Sequence, residues 1–439
     1  MNILMLTNVY TPQIGGVTRS IEQFAEGYRQ QGHDVLIVAP DYDENPEPDP
    51  GVVRVPAIPN FYEGRYSLPI PVMPLLIPHL RPFQPDIIHA HHPFLLGSTA
   101  QSLAIEFHTP LVYTHHTRYS VYIEEKTDWP HSVEEAIGEL INGFCELVDQ
   151  IIVPSSGIQE LLSRRGIQTN MEVVPTGVDT QKFDEANGDR FREEFQIDPN
   201  KLVVGHVGRL SVEKNCRFLT QALCEFLETR ESADVLIVGD GPERESMEKA
   251  FADRGLSGRV TMTGFLTGQN LVDAYAAMDV FAFASHSETQ GMVLGEAMAA
   301  GTPVIAIAAT GVNDIVRDQQ NGFLIPSEDY QLFCDQLRRF AELKHDERAK
   351  LASGAIETSR QFSQERCVAK MLSIYASLVD SEQSTDRSTG SSWDHMQEKW
   401  DSTWKRWRNR SRAVATLARE AMTGTEQSDS HGNSNDPLS

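Results

Sequence analysis

Apolar positions along this chain follow two alternating periods. Short apolar runs at Asn2 to Leu6, Val35 to Ala39, Ile87 to His89, Leu111 to Thr114 and Gln150 to Val153 read as buried strands. Between them apolar residues recur at helical spacing, as in the helix predicted near Val17 to Gln31. The alternation restarts at Leu202 to Val207 and continues through Val235 to Val238, Val260 to Thr263, Val280 to Ala284 and Val304 to Ala306. Strands apolar on both sides and joined by amphipathic helices predict parallel sheets covered on both faces, hence an α/β fold built as two tandem open sheets. Ligands of such sheets bind beyond the carboxyl ends of the strands, so both sets of strand-end loops are expected to face one cleft. Two segments break the pattern. Residues 41 to 85, with many prolines and the cluster Phe61, Tyr62, Tyr66, predict a long irregular excursion, and the polar stretch around 184 to 200 reads as the connection between units.

The 439 residues suffice for two to three domains with sizeable cores. A net charge of −24 argues against a nucleic-acid partner, whose phosphates most of this surface would repel. The cysteines Cys145, Cys216, Cys224, Cys334 and Cys367 lack paired short spacing, which predicts neither a disulfide framework nor a zinc site and fits a reducing cytoplasm. The first residues read as a strand rather than a leader, and no apolar run approaches the roughly 18 residues of a membrane-spanning helix.

Candidate chemistry gathers at strand ends. Glu288 and Glu296 bracket a turn from the strand at Val280 into a helix closed by Gly301 and Pro303. Backbone N–H groups of the turn through Gln290, Gly291, Met292 and Val293 would face a diphosphate, which the helix dipole favours. Glu288 is then placed for sugar hydroxyls and Glu296 for the vicinal hydroxyls of a ribose; the plainer alternative is two surface glutamates at an ordinary junction. In G-H-V-G-R-L-S-V-E-K-N, Arg209 and Lys214 follow another strand end and would neutralise the same diphosphate, one as a planar fork and one as a point charge; the plainer alternative is a solvated basic pair. Gly15 and Gly16 after the first strand allow close approach of backbone to ligand. They do not form G-x-G-x-x-G, and no acidic residue ends the second strand, which disfavours a dinucleotide oxidoreductase. His89, His91, His92, His115 and His116 are dense, with Tyr119 and Tyr122 nearby, yet no H-E-x-x-H or cysteine companion appears. No metal is expected; packing or strand-end hydrogen bonds account for most of these histidines, leaving one to face the cleft. Asp41-Tyr42-Asp43 opens an acidic, proline-rich loop and reads as a solvated turn rather than a cation site.

Taken in order, the Gly15-Gly16 loop, P-T-G-V-D (Pro175 to Asp179), G-R-L-S-V-E-K-N, V-G-D-G-P-E-R-E (Val238 to Glu245), T-G-F (Thr263 to Phe265) and the E-x7-E pair resemble the retaining nucleotide-sugar glycosyltransferases of group 4, over about residues 1 to 380. The resemblance implies a GT-B fold: a Rossmann-like acceptor domain (1–195, with a return helix near 362–380) facing a Rossmann-like donor domain (196–361) across a cleft. It further implies that Arg209 and Lys214 hold the donor diphosphate, Glu288 the donor sugar, Glu296 the ribose, and that His116 lies near sugar and acceptor. Gly264 and Phe265 would border the base. Transfer with retention and without metal is implied, with no resident cofactor and a nucleotide-sugar co-substrate, UDP-glucose being the expected donor. E-T-Q-G (Glu288 to Gly291) and H-T-x-Y-x-x-Y (His116 to Tyr122) are similar to members that glycosylate diacylglycerol, although I-E-E-K-T-D-W-P departs from them. A polysaccharide or small soluble acceptor, a nucleotide-sugar epimerase or hydrolase of the same fold, and a silent lipid-binding scaffold are the competing readings.

Residues 381–439 add a C-terminal extension. A Ser/Thr/Asp-rich link (381 to 392) leads to Trp393, Trp400, Trp404, Trp407 and Val414, which share one face at helical period among Lys399, Lys405, Arg406, Arg408, Arg410 and Arg412. Such a helix over 393–414 suits an anionic membrane surface, consistent with a cytoplasmic protein peripheral to the inner face, or docks on an acidic protein surface. The tail after Thr423 is compositionally disordered.

Overall fold

The computed structural model describes residues 1–386 apart from 14, 43–49, 62–65, 71–72, 118–130 and 286–287. The first unit contains strands β1 (Asn2–Leu6), β2 (Asp34–Pro40), β3 (Val52–Val55), β4 (Ala57–Phe61), β5 (Tyr66–Pro69), β6 (Ile87–Ala90), β7 (Leu111–Thr114), β8 (Gln150–Val153) and β9 (Met171–Val173). The second contains β10 (Leu202–Val207), β11 (Ala233–Val238), β12 (Val260–Gly264), β13 (Val280–Phe283), β14 (Val304–Ile307) and β15 (Gly322–Ile325). They form a seven-stranded sheet ordered β3-β2-β1-β6-β7-β8-β9 and a six-stranded sheet ordered β12-β11-β10-β13-β14-β15, with parallel pairing throughout.

The expected two-sided burial is visible residue by residue. Ile3 and Met5 enter one apolar cluster while Leu4 and Leu6 enter another, and in the second sheet Val203 and Leu202 divide the same way. This is the period-two alternation of a strand covered on both faces. Strand order reverses beside β1 and beside β10. The loops leaving β1 and β6, and those leaving β10 and β13, therefore diverge and open a crevice at each place.

Three expectations change. The segment 41–85 is not irregular throughout: β3 extends the first sheet beside β2, β4 and β5 form an antiparallel pair, and Met73–Phe83 is helical. Leu76 and Leu80, four residues apart and fully buried, anchor that helix, while Pro74, Pro78 and Pro82 share its exposed side. The stretch 184–200 is not a linker either. It holds the helix Gly188–Glu194, whose Phe191 is buried in the second unit and whose Arg190 pairs with Asp273, so the first unit ends before residue 183 rather than at 195. Finally, the helix Gln364–Asp386 runs through residues 381–386 of the expected link. Residues 393–414 and the tail, like Tyr119, Tyr122, Tyr62 and Asp43, lie outside the described residues, and nothing is described of the Phe61 and Tyr66 side chains.

The chain crosses between units twice, side by side. Val178 N–H donates to Phe362 O and Gln364 N–H to Val178 O, each at 2.9 Å. A Cβ on Gly177 would lie 2.3 Å from Gln364 Cα, so glycine is what lets the two crossings touch. The returning helix then packs Val368, Met371 and Tyr375 against Phe24 and Tyr28 of the first unit. No helix among the described residues is long and apolar enough to cross a membrane.

Candidate active site

The loop after β10 carries Arg209 and Lys214, and the loop after β13 carries Glu288; because β10 and β13 flank the reversal of strand order, the two loops meet there. Lys214 Nζ donates to Glu288 Oε1, closing an ion pair in which the carboxylate is largely buried. Arg209 is exposed at the same strand end and makes no ion pair among the described residues. The V-G-D-G turn after β11 supports this loop closely. A Cβ on Gly239 would sit 1.9 Å from Gly208 O, and one on Gly241 2.3 Å from Leu210 O. Both glycines have positive φ, so bulk and backbone conformation exclude other residues together.

Gly291 turns the chain into the helix Met292–Ala299 at φ +77°, and no side chain caps that helix. Met292 and Val293, half-buried, thus begin an uncapped helix beside Glu288, as an anion requires. The Gln290 side chain has a structural partner of its own. It accepts from Thr176 N–H at 2.7 Å and donates to Thr176 O at 2.6 Å, clamping the first crossing segment. Gly264 has φ +78°, and the following Phe265 ring is 54% exposed at the end of β12.

Glu296 is held by two residues that sequence reasoning missed. Tyr275 OH donates to its Oε2 at 2.6 Å, and Arg19 of the first unit approaches Oε1 at 3.7 Å. Burial raises the Glu296 carboxyl, with the Tyr275 bond and Arg19 opposing. Arg19 lies one turn beyond Gly15 and Gly16, its N–H bonding Gly15 O, so the glycine loop was the available signal for it. Gly15 and Gly16 face open space: a Cβ on either meets nothing within 4 Å. Ser156 also joins the units, donating its N–H to Asp314 Oδ2 at 2.6 Å and its hydroxyl to Asp314 Oδ1.

His89, His91 and His92 lie in and after β6, at the reversal point of the first sheet, and His115 and His116 follow the neighbouring β7. His89 bonds Tyr375 OH and Thr114 Oγ1, both at 2.6 Å; His92 Nδ1 accepts from Asn8 N–H at 3.2 Å; His115 Nδ1 bonds Tyr113 OH at 3.1 Å. Burial pushes His89 down to about 3 and His92 and His115 to about 4. His116 Nε2 lies 2.9 Å from His91 Nδ1. No group of three or more metal-ligating side chains occurs among the described residues, and Asp41 Oδ1 accepts from Tyr42 N–H. A groove of about 540 Å³ between Arg317 and Lys350 contains none of these residues.

Residues 14–182 match the model of Glycosyltransferase Family 4, and residues 187–358 that of Glycosyl transferases group 1. The D-inositol 3-phosphate glycosyltransferase of Xylanimonas cellulosilytica is 30% identical over 311 residues, covering 66% of this chain and 72% of that protein. The chain belongs to the family 4 glycosyltransferases. This glycosyltransferase is 29% identical over 334 residues to the alpha-monoglucosyldiacylglycerol synthase of Streptococcus pneumoniae, covering 75% of this chain and 76% of that one. Its fold matches Anabaena HepE, solved in complex with UDP and glucose, at TM-score 0.67 and 23% identity over 86% of this chain and 99% of that one, which places the glycosyltransferase in the GT-B fold. It is a hexosyltransferase.

Proposed function

We propose that this glycosyltransferase moves glucose from UDP-glucose to diacylglycerol at a membrane surface, with retention at the anomeric carbon and without a metal. The observation that carries the donor reading is the meeting of Arg209, Lys214 and Glu288 at the reversal point of the second sheet, beside the uncapped helix at Met292. Arg209, Lys214 and the helix N-terminus stabilise charge as the diphosphate leaves, and fixed charges in a site already formed need no rearrangement at that moment. They take the neutralising role a divalent ion would otherwise fill. When the donor binds, before any bond breaks, Glu288 releases Lys214 to the phosphate and turns its carboxylate to the sugar hydroxyls. Glu296 receives the ribose, and the exposed Phe265 borders the base.

The departing phosphate oxygen accepts the acceptor's proton on the face the acceptor enters, so the new bond forms where the old one breaks. The lipid acceptor is supported by the diacylglycerol-acting relative and by the exposed Ile58, Ile70 and Leu75, which succeed one another along the first unit. The Trp- and Arg-rich segment 393–414 gives the chain its membrane attachment on the cytoplasmic side.

A donor panel (UDP-glucose, UDP-galactose, GDP-mannose) assayed for nucleotide release, with and without diacylglycerol vesicles, tests this reading. UDP-glucose turnover dependent on diacylglycerol, insensitive to chelator and giving an α-linked lipid is expected. Release without any acceptor would indicate a hydrolase instead, and chelator-sensitive turnover would overturn the metal-free mechanism. Vesicle pelleting with and without residues 391–422 tests the attachment, which equal recovery contradicts.

A further inference from the structure

Among the described residues, His91 is the histidine of the cluster whose second ring nitrogen, Nε2, is buried without a partner. Its side chain is 2% exposed and lies between His89, with ring centroids 4.2 Å apart, and His116, 5.2 Å away and 24° from parallel. His89 uses both ring nitrogens on Tyr375 and Thr114, and His92 Nδ1 is turned to Asn8. The polar contact left to His91 among the described residues is the 2.9 Å bond from its Nδ1 to His116 Nε2, while its own Nε2 is buried without a partner.

Burial, reinforced by the neighbouring histidines, holds both rings well below the ordinary histidine range, so each is neutral and carries a single N–H. Two arrangements satisfy the bond between them. If His116 donates from Nε2, His91 must carry its proton on Nε2, creating a buried N–H with nothing to accept it. If His91 donates from Nδ1, only a bare lone pair is left unpaired. Buried N–H groups without acceptors are the rarer defect in folded proteins, which selects the second arrangement. His116 then accepts at Nε2 and carries its proton on Nδ1, the nitrogen with no partner among the described residues.

We propose that His91 is a positioning residue that fixes His116 in the Nδ1–H form, so that His116 gives a hydrogen bond to a substrate oxygen and does not take the acceptor's proton. The inference rests on the glycosyl-transfer reading for the substrate and deepens it, because a His116 that cannot act as a base leaves the departing phosphate to receive that proton.

Nitrogen-15 spectra of histidine-labelled, donor-free protein read the tautomer directly, with His116 assigned by the signals lost in His116→Gln. A protonated Nδ1 and a lone-pair Nε2 are expected; a protonated Nε2 on His116 overturns the proposal. This measurement uses no donor or acceptor, so its failure would leave the functional reading standing. In turnover assays His91→Asn, which still offers an N–H in that place, is expected to keep most of kcat. His91→Asp offers an acceptor, draws the His116 proton to Nε2 and is expected to lower kcat on the order of tenfold with less change in donor KM. Equal losses in the two variants would reduce His91 to a packing residue and overturn the proposal.

Discussion

Lys214 and Glu288 are ion-paired across the two loops that diverge at the reversal point of the second sheet, while Arg209 stands beside them exposed. The two cations therefore differ in what they do for the fold. Arg209→Ala is expected to lower turnover about 100-fold or more, as removal of a charge-stabilising group does, with little change in melting temperature. Lys214→Ala is expected to lower turnover comparably and also to cost about 1–3 kcal/mol of stability, because it leaves a largely buried carboxylate unpaired. Steady-state kinetics with calorimetric melting separates the two, and unchanged turnover in both variants would remove the site.

Glu296 carries a raised pKa whose first cause is burial. Its folded form holds a proton more tightly than its unfolded form, so its contribution to stability is full below the unfolded value and is lost as pH rises through the folded one. Glu296→Gln is accordingly expected to melt above the parent protein at neutral pH, with the gap closing in acid, while donor affinity falls. Melting curves across pH 4 to 8 check this; a variant less stable than the parent at pH 8 would contradict it.

The histidines act in the opposite sense. Burial lowers His89 to about 3 and His92, His115 and His206 to about 4, so all are neutral in the fold and take up protons on unfolding below their ordinary value of 6.5. Stability is expected to fall as pH drops from 6.5 towards 4, each histidine contributing at most about 1.4 kcal/mol per pH unit. Urea unfolding at pH 7 and pH 5 measures it, and equal midpoints would count against neutral buried histidines.

Gln290 closes on both polar groups of Thr176, whose hydroxyl in turn donates to Ser20 Oγ at 2.7 Å. Gln290→Ala is expected to lower kcat/KM by loosening one unit against the other, visible as a broader size distribution in small-angle scattering. An unchanged scattering profile with normal kinetics would show that the clamp has no such role.

Ten strands of the two sheets were legible because burial on two faces writes them as continuous apolar runs, and the loops at their carboxyl ends followed from that, whereas the short edge strands β9, only half-buried, and β15 were not. Residues 52–83 were not legible: their elements rest on a few buried positions such as Val55, Leu76 and Leu80 among prolines that ordinarily break structure. Within the site, Arg209, Lys214 and Glu288 could be named from motifs. The contacts between the units could not, since Arg19 reaches Glu296 from the other unit and Asp314 caps the helix at Ser156 through packing that no local pattern records.

In the proposed mechanism, fixed cations at the β10–β13 reversal hold the donor diphosphate. Calorimetric titration of UDP and GDP into the parent protein and Arg209→Ala tests it most directly, with Lys350→Ala in the outer groove as control. Saturable binding of one nucleotide is predicted, weakened about tenfold or more by Arg209→Ala and unchanged by Lys350→Ala. Equal affinity in the parent and Arg209→Ala, or loss on changing Lys350 alone, would contradict the account.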